Sequence, residues 1–273
     1  MTGLDTSLPG YGVLRASGPD AASFLQGQLA NDVAALATGA WQWNCYLTPQ
    51  GRVQSVFPLF RIEDDSFLLA VPGDLAGALR ERLSRYRLRS KLELELDPGW
   101  RAYGTFGAAA AAPGTQVAEL PGSRRLLVTR AATGEVEPAA LARWLGADVA
   151  AGIPVLTEPV ADTHTPQALS LDRLAAYSVK KGCYPGQEIV ARTHFLGRSK
   201  RSLGRYCGSA ESLPPPAAEL VAADSGELAG SVISAAAKAG RGFELLAVVR
   251  EGYAGLRVSG PAGTLLEALA FAS

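Results

Sequence analysis

Lys180-Lys-Gly-Cys-Tyr-Pro-Gly-Gln-Glu-Ile-Val-Ala-Arg-Thr-His-Phe-Leu-Gly-Arg-Ser-Lys-Arg201 is the stretch from which this chain is best read. Gly182, Pro185 and Gly186 punctuate its first third, so the backbone around Cys183 and Tyr184 turns tightly and belongs to neither helix nor strand. After Gly186 the pattern changes. Gln187 to Arg192 reads as the opening of a helix, with Gly186 as N-cap and Glu188 where the helix dipole favours negative charge. Cys183 thus sits just ahead of a helix N-terminus and directly after two lysines, and both features favour the thiolate. The spacing of Glu188 and Arg192 also predicts an i,i+4 ion pair.

Working outward, Tyr11–Ala16 reads as a strand ending at Ser17-Gly18-Pro19, with Pro19 suited to a first helical position. Phe24, Leu25, Leu29, Val33 and Leu36 follow at helical spacing, with Gln26, Gln28, Asn31 and Asp32 on the other side. A meander comes next: Trp41–Leu47, Arg52–Ile62 and Phe67–Val71, joined at Thr48-Pro49-Gln50-Gly51 and Glu63-Asp64-Asp65. Leu75, Leu79, Leu83 and Tyr86 mark one stripe of a second helix, whose other side and exit carry Arg80, Arg82, Arg85, Arg87, Arg89 and Lys91. A solvated face and an anion-binding patch are both open readings of that run. Leu92, Leu94 and Leu96 alternate with Glu93 and Glu95 as a half-buried strand.

Trp100–Phe106 and Leu126–Thr129 read as strands around a small-residue loop at 108–114, and Glu137–Gly146 as a helix with Leu141, Trp144 and Leu145 on its stripe. Beyond Arg205 come short apolar segments, Arg205–Cys207, Leu220–Ala222, Leu228–Ser234, Phe243–Val249 and Leu256–Val258, divided by Pro and Gly turns; this spacing predicts a small antiparallel barrel. The element order lacks regular βαβ alternation. The fold class is therefore α+β, with a body over residues 1–202 and a barrel domain over 203–273.

Composition narrows the function. Of 273 residues, 48% are hydrophobic and 19% charged, enough to bury a proper core. Basic and acidic residues number 26 each, so no global field draws the chain to nucleic acid or an anionic membrane. The second basic run, Arg198, Lys200, Arg201 and Arg205, lacks interleaved aromatics beyond Phe195 and Tyr206, and direct nucleic-acid binding is not expected. Three dispersed cysteines, Cys45, Cys183 and Cys207, argue against a disulfide framework and for a reducing cytoplasm. Metal-ligand spacing is lacking. The first twelve residues do not read as a signal peptide, and no apolar run approaches the roughly 20 residues of a membrane span. Cys183 is the leading functional candidate. A cysteine-protease arrangement needs an oriented histidine, and only His164 and His194 exist, with no evident third partner.

The octapeptide KGCYPGQE (Lys181–Glu188) resembles the signature of the YgfZ branch of folate-binding proteins, relatives of the glycine-cleavage T-protein, an aminomethyltransferase. SFLQGQLANDV from Ser23, CYLTPQGRV from Cys45, LSRYRLRSKLEL from Leu83 and TPQAL from Thr165 agree with the same family, so the resemblance covers about residues 11–205 and, more weakly, the remainder. It implies a body of two intertwined α+β units around a tetrahydrofolate channel, with a barrel alongside. It implies a folate-dependent role in assembly or repair of iron-sulfur enzymes, with effects on tRNA modification, and iron-sulfur client or assembly proteins as partners. Cys183 is then the reactive thiol, while Asn31, Asp32, Lys181, Tyr184, Gln187, Glu188 and Arg192 shape or line the channel. The basic run after Leu83 becomes a candidate for a polyglutamate tail. One departure stands out. Aminomethyltransferases carry an acidic pair in the segment matching Gln50–Val56, where this chain has Gln54, Ser55 and Val56. An accessory role is therefore expected, with folate-dependent one-carbon transfer as the alternative.

Overall fold

A computed structural model of the protein describes residues 6–8, 10–107, 111–131, 135–197, 199–238, 240–253, 255–259 and 263–272. Residues 108–110 of the expected small-residue loop, and Arg198 of the second basic run, lie outside the described residues.

The body opens with β1 (Thr6–Ser7), β2 (Tyr11–Ser17) and α1 (Ala21–Gln28). The meander follows as β3 (Trp41–Leu47), β4 (Val53–Glu63) and β5 (Ser66–Pro72), then α2 (Leu75–Tyr86) and β6 (Glu93–Leu96). After these come β7 (Arg101–Phe106), β8 (Gln116–Leu120), β9 (Arg124–Thr129) and α3 (Pro138–Ala151), with α4 (Gln187–Leu196) closing the body. Two antiparallel sheets result, ordered β3-β4-β5-β2-β6 and β1-β7-β9-β8.

The central strands explain themselves. Every residue from Val53 to Phe60 in β4 is buried, because the five-stranded sheet is covered on both faces. Leu14, Leu59 and Leu69 face a core shared with α1, α2 and the loops that follow α3. Their neighbours Val13, Phe60 and Leu68 face the second sheet together with Leu126, Val128 and Trp144. The period-2 alternation of side chains thus sends successive apolar residues into two different cores. Trp144 of α3 is fully buried, and it packs so closely over β7 that a Cβ on Gly104 would lie 2.4 Å from its ring. The start of α3 is capped by the Glu137 carboxylate, which accepts from the amides of Ala139 and Ala140, and Gly152 ends it in the left-handed conformation.

Residues beyond α4 form β10 (Arg201–Ser209), β11 (Glu219–Ala222), β12 (Leu228–Ala237), β13 (Gly242–Arg250), β14 (Leu256–Val258) and β15 (Leu265–Leu269). They close into an antiparallel barrel, β10-β13-β12-β11-β14-β15. Its interior holds Leu220, Val232, Phe243 and Leu245, while Leu203, Ile233, Leu246 and Val248 belong to the main core of the body. The barrel is therefore docked by apolar packing. The fold class is the expected α+β body with a C-terminal barrel. No helix among the described residues is long and apolar enough to cross a membrane.

Several local expectations need correction. The first helix ends at Gln28, with Leu29 extended and bridged to Tyr46. Leu29, Val33 and Leu36 are buried nonetheless, on a loop whose amides are held by side chains. Tyr86 and Leu145, assigned to buried stripes, are 48% and 40% exposed, because each turns past the edge of the surface its helix covers. Strands β1, β8 and β15 were not anticipated. They are short or fall in small-residue segments, and they exist because a neighbouring strand offers them unpaired amides.

His164 ties body to barrel. Its carbonyl accepts from the Val53 amide, and its ring nitrogen Nε2 meets Ser231 Oγ at 3.4 Å. Burial, with Arg201 and Arg52 nearby, lowers its pKa from 6.5 to about 4. Between those values the unfolded chain binds a proton that the folded chain refuses, so stability falls as pH drops through the window. From pH 7 to pH 5 the expected loss from this group is about 2 kcal/mol. Urea unfolding at the two pH values should show it, and His164→Gln should remove most of it.

Candidate functional site

The signature loop is built from the outside in. Ser178 donates its amide to Ala30 O at 2.9 Å, and Tyr184 Oη donates to Ser178 O at 3.1 Å. The Lys181 ammonium lies over the Tyr184 ring, 5.2 Å from its centroid. That ammonium is the hub. It donates to Leu29 O at 2.7 Å and Asn31 O at 3.0 Å, and also to Gln26 O. All three carbonyls belong to the exit of α1, where helix termination leaves them without partners. Burial lowers the Lys181 pKa to about 8, against the attraction of Asp32.

On the C-terminal side Gln187 Nε2 donates to Lys181 O at 3.1 Å. Gly186 caps α4 with φ 80°. A Cβ there would lie 2.5 Å from Thr48 O and 2.7 Å from Gly51 Cα, so glycine is needed for both conformation and approach. Ile189 in turn packs on Gly51, and Gln167 Nε2 donates to Val190 O at 2.9 Å. Both flanks of the loop are thus fastened to the α1 exit and to the tip of the β3–β4 hairpin. Between them Gly182 and Cys183 are exposed.

Asn31 and Asp32 border this loop, with their polar groups engaged internally. Asn31 Nδ2 donates to Trp43 O at 2.8 Å and to Ala175 O at 2.7 Å. Asp32 Oδ1 accepts from Gln26 Nε2 at 3.0 Å, and Gln26 Oε1 accepts from the Val33 and Ala34 amides. Glu188 and Arg192 are exposed on α4. The ion pair expected between them is not among those of the described residues; in open water such a pair gains only a few tenths of a kcal/mol, less than its side-chain entropy can cost. Neither histidine hydrogen-bonds Cys183: His164 meets Ser231, and His194 stands edge-on to Phe195. Cys45 is buried, with Sγ donating to Ala176 O at 3.5 Å, and burial pushes its thiol pKa up. The three thiols do not meet, and among the described residues no cluster of His, Cys, Asp or Glu could hold a metal ion.

A second feature lies one step along β4 from the hairpin tip. Tyr46, Gln54 and Ser55 of the sheet, Leu79 and Arg82 of α2, and Asp162 enclose a cavity of about 30 Å3. Both amide atoms of Gln54 and the Ser55 hydroxyl are buried with no hydrogen-bond partner, which is unusual in a folded core. Arg82 and Asp162 pair at 3.4 Å, each about two-fifths exposed. Asp162 itself has φ 63° and donates its amide to Val53 O. In the sequence Ser55 stands out only because it falls where the related aminomethyltransferases carry an acidic residue. The available signal was two polar residues, Gln54 and Ser55, inside a strand otherwise apolar from Val53 to Phe60. Larger cavities, of about 350 Å3 at Tyr11 and Trp100 and about 260 Å3 between α3 and the barrel, are not lined by Cys183.

No protein-family model matches the chain. Its α+β body with closed barrel is the fold of the glycine-cleavage aminomethyltransferases. A crystal structure of glycine cleavage system aminomethyltransferase T from Bartonella henselae superposes on it with a TM-score of 0.71, covering 98% of this chain and 85% of that one at 14% identity. Closer likeness comes from sequence. The tRNA-modifying protein YgfZ of Edwardsiella ictaluri is 33% identical over 279 residues, 90% of this chain and 83% of the relative. That of Photorhabdus laumondii is 32% identical over 237 residues, 76% of this chain and 72% of the relative. An uncharacterized protein of Haemophilus influenzae is 32% identical over 200 residues, covering 72% and 71% of the two chains. The chain belongs to the YgfZ family.

Replacing Lys181 by Met keeps the stem and removes three charged hydrogen bonds, leaving carbonyls at the α1 exit unsatisfied. A loss of roughly 2–3 kcal/mol is expected, measurable by denaturant unfolding, with faster amide exchange at residues 26–31 and 178–186.

Proposed function

We propose that this protein is a tetrahydrofolate-binding accessory factor of the cytoplasm that supports assembly or repair of iron-sulfur enzymes, through which it affects tRNA modification, with Cys183 as its reactive thiol. The observation that carries this reading is the exposure of Cys183 on a turn fastened at both flanks. A nucleophile or iron ligand offered to a partner protein needs both reach and a fixed direction. Asn31, Asp32, Lys181, Tyr184 and Gln187 serve as the frame of that turn, and Glu188 and Arg192 as the charged surface beside it. The body extends through residue 202 and the barrel domain from 203 in this reading. The printed names of the YgfZ relatives, tRNA-modifying proteins, accord with it.

For folate, the chemistry of the Gln54–Ser55 cavity fits better than its volume. An unpartnered amide and hydroxyl beside an arginine suit the amide edge and carboxylates of a folate. A space of about 30 Å3 accepts one water, whereas ligand pockets run to ~300 Å3 and more. Binding there requires α2 to move away from β4. The Arg82–Asp162 pair resists this weakly, since an exposed pair contributes about 0–1 kcal/mol. Tetrahydrofolate, once bound, supplies a one-carbon carrier; the protein's own part is to orient it and to present Cys183. One-carbon transfer is a second reading because Asp162, whose carboxylate pairs with Arg82, lines the same cavity as Ser55, bringing an acid to a place where β4 lacks one.

Calorimetry with tetrahydrofolate and its polyglutamates is expected to give saturable binding, and its complete absence would overturn the folate reading. Cys183→Ala should leave that affinity within about twofold, as an exposed side chain outside the cavity, yet abolish support of an iron-sulfur enzyme in cells lacking the native gene. Unimpaired support would remove the thiol from the mechanism. Turnover of an aminomethyl donor, lost in Asp162→Asn, would establish the second reading instead.

A further inference from the structure

The basic run at the exit of α2 admits two readings in sequence, a solvated face or an anion-binding patch. The structure adds that aromatic and aliphatic side chains stand exposed among the cations. From Ser84 to Arg89 every residue is exposed, in the order Ser84, Arg85, Tyr86, Arg87, Leu88, Arg89. Leu88 is 89% exposed and has φ 41°, a left-handed conformation that is costly for leucine. The loop is nonetheless held in place. The Ser90 amide donates to Arg87 O at 2.8 Å and the Lys91 amide to Asp20 Oδ2 at 2.7 Å. Lys91 O passes so close to Gly18 that a Cβ there would lie 2.6 Å away. A fixed and strained loop thus displays an aliphatic side chain that folding does not bury.

Several of its charges are uncommitted. Arg85 pairs with Glu81 one helical turn away, and Arg87 Nη1 donates to Leu92 O at 3.4 Å. Among the described residues no acid pairs with Arg80, Arg89 or Lys91. Tyr86 and Leu88 line one open depression together with Asp20, Arg89 and Ser90. Asp20 is the acid in that lining, and its Oδ2 is taken up by the Lys91 amide.

Guanidinium forks match phosphate oxygens, and an exposed phenol ring among them offers a face to a base. We propose that the exit of α2 binds single-stranded nucleic acid, with the phosphodiester backbone on Arg85, Arg87, Arg89 and Lys91 and one unstacked base on Tyr86 beside Leu88. A duplex keeps its bases stacked away from such a ring. An anionic membrane is met by an apolar face that sinks into it, whereas Tyr86 and Leu88 line a depression. An acidic peptide supplies charge without a planar partner for Tyr86. The expectation of no direct nucleic-acid contact rests on zero net charge and on the run after Arg198, and it goes with a Tyr86 placed on a buried stripe; the 48% exposure of Tyr86 is what changes the reading. With no net charge there is no long-range pull, so the attraction is confined to this loop. The site is independent of the folate and Cys183 readings.

Fluorescence anisotropy on the full chain, with labelled oligouridylate and oligothymidylate of about 12 nucleotides, tests it. Saturable binding is expected at about 50 mM salt, with a log–log salt slope of about −2 to −3 for three or four phosphates of a single strand. Tyr86→Ala should weaken binding ~tenfold or more with the slope unchanged, and Tyr86→Phe, which keeps the ring, should stay within about twofold. The double variant Arg89→Gln, Lys91→Gln should flatten the slope by about 1.4. The replaced side chains are exposed, so the unfolding midpoint of each variant should match that of the native chain. Preference for the uridylate identifies RNA as the source, preference for the thymidylate DNA, and equal affinity the backbone and base faces common to both. The proposal is overturned by absence of binding at low salt, by undiminished binding in Tyr86→Ala, or by an unchanged slope in the double variant. Oligoglutamate of equal length competing as well as the oligonucleotides, or binding to phosphatidylserine vesicles but to neither oligonucleotide, also overturns it.

Discussion

One ammonium group holds the signature loop where it is. Lys181 reaches across some 150 residues of sequence to the carbonyls that end α1, supplying at once the donors that a terminated helix lacks and the anchor that an irregular loop needs. Charged hydrogen bonds of this kind contribute about 1.5–3 kcal/mol each, and here they share one buried donor. Desolvating an ammonium is costly, which is why its pKa falls to about 8; three carbonyls are what make the burial tolerable. Lys181 is buried, while Gly182 and Cys183 on the turn that follows it are exposed.

The hairpin tip is the second support. Gly186 and Gly51 approach each other so closely that neither position admits a Cβ. Through that contact α4, which carries Glu188 and Arg192, is keyed to the same hairpin whose second strand brings Gln54 and Ser55 to the cavity under α2. The turn that bears the thiol and the strand that lines the cavity therefore meet at one hairpin, although they lie in different places.

Some of the buried polar atoms without partners belong to residues that line two of the cavities. Gln54 and Ser55 lie in the middle of an apolar strand, and Asp148 shares its charge with Arg124 while one oxygen stays idle. Each is a cost that apolar substitution would avoid.

Much of this was legible beforehand. The meander, the α2 stripe and the turn-helix after Gly186 follow from period, glycine and proline, all of which act within a few residues of sequence. The eight residues from Lys181 to Glu188 were enough to indicate the family. What the sequence by itself could not determine was decided by distant contacts. Leu29, Val33 and Leu36 have helical spacing, yet they sit on a loop because Lys181 and the side chains of Gln26 and Asn31 satisfy its backbone better than another helical turn would. Strands β8 and β15 exist because β9 and β10 leave an edge open to them. Lys181 looked like one of two lysines beside a cysteine; only the folded chain turns it inward, since the carbonyls that bind it lie at the end of a helix formed far earlier in the sequence.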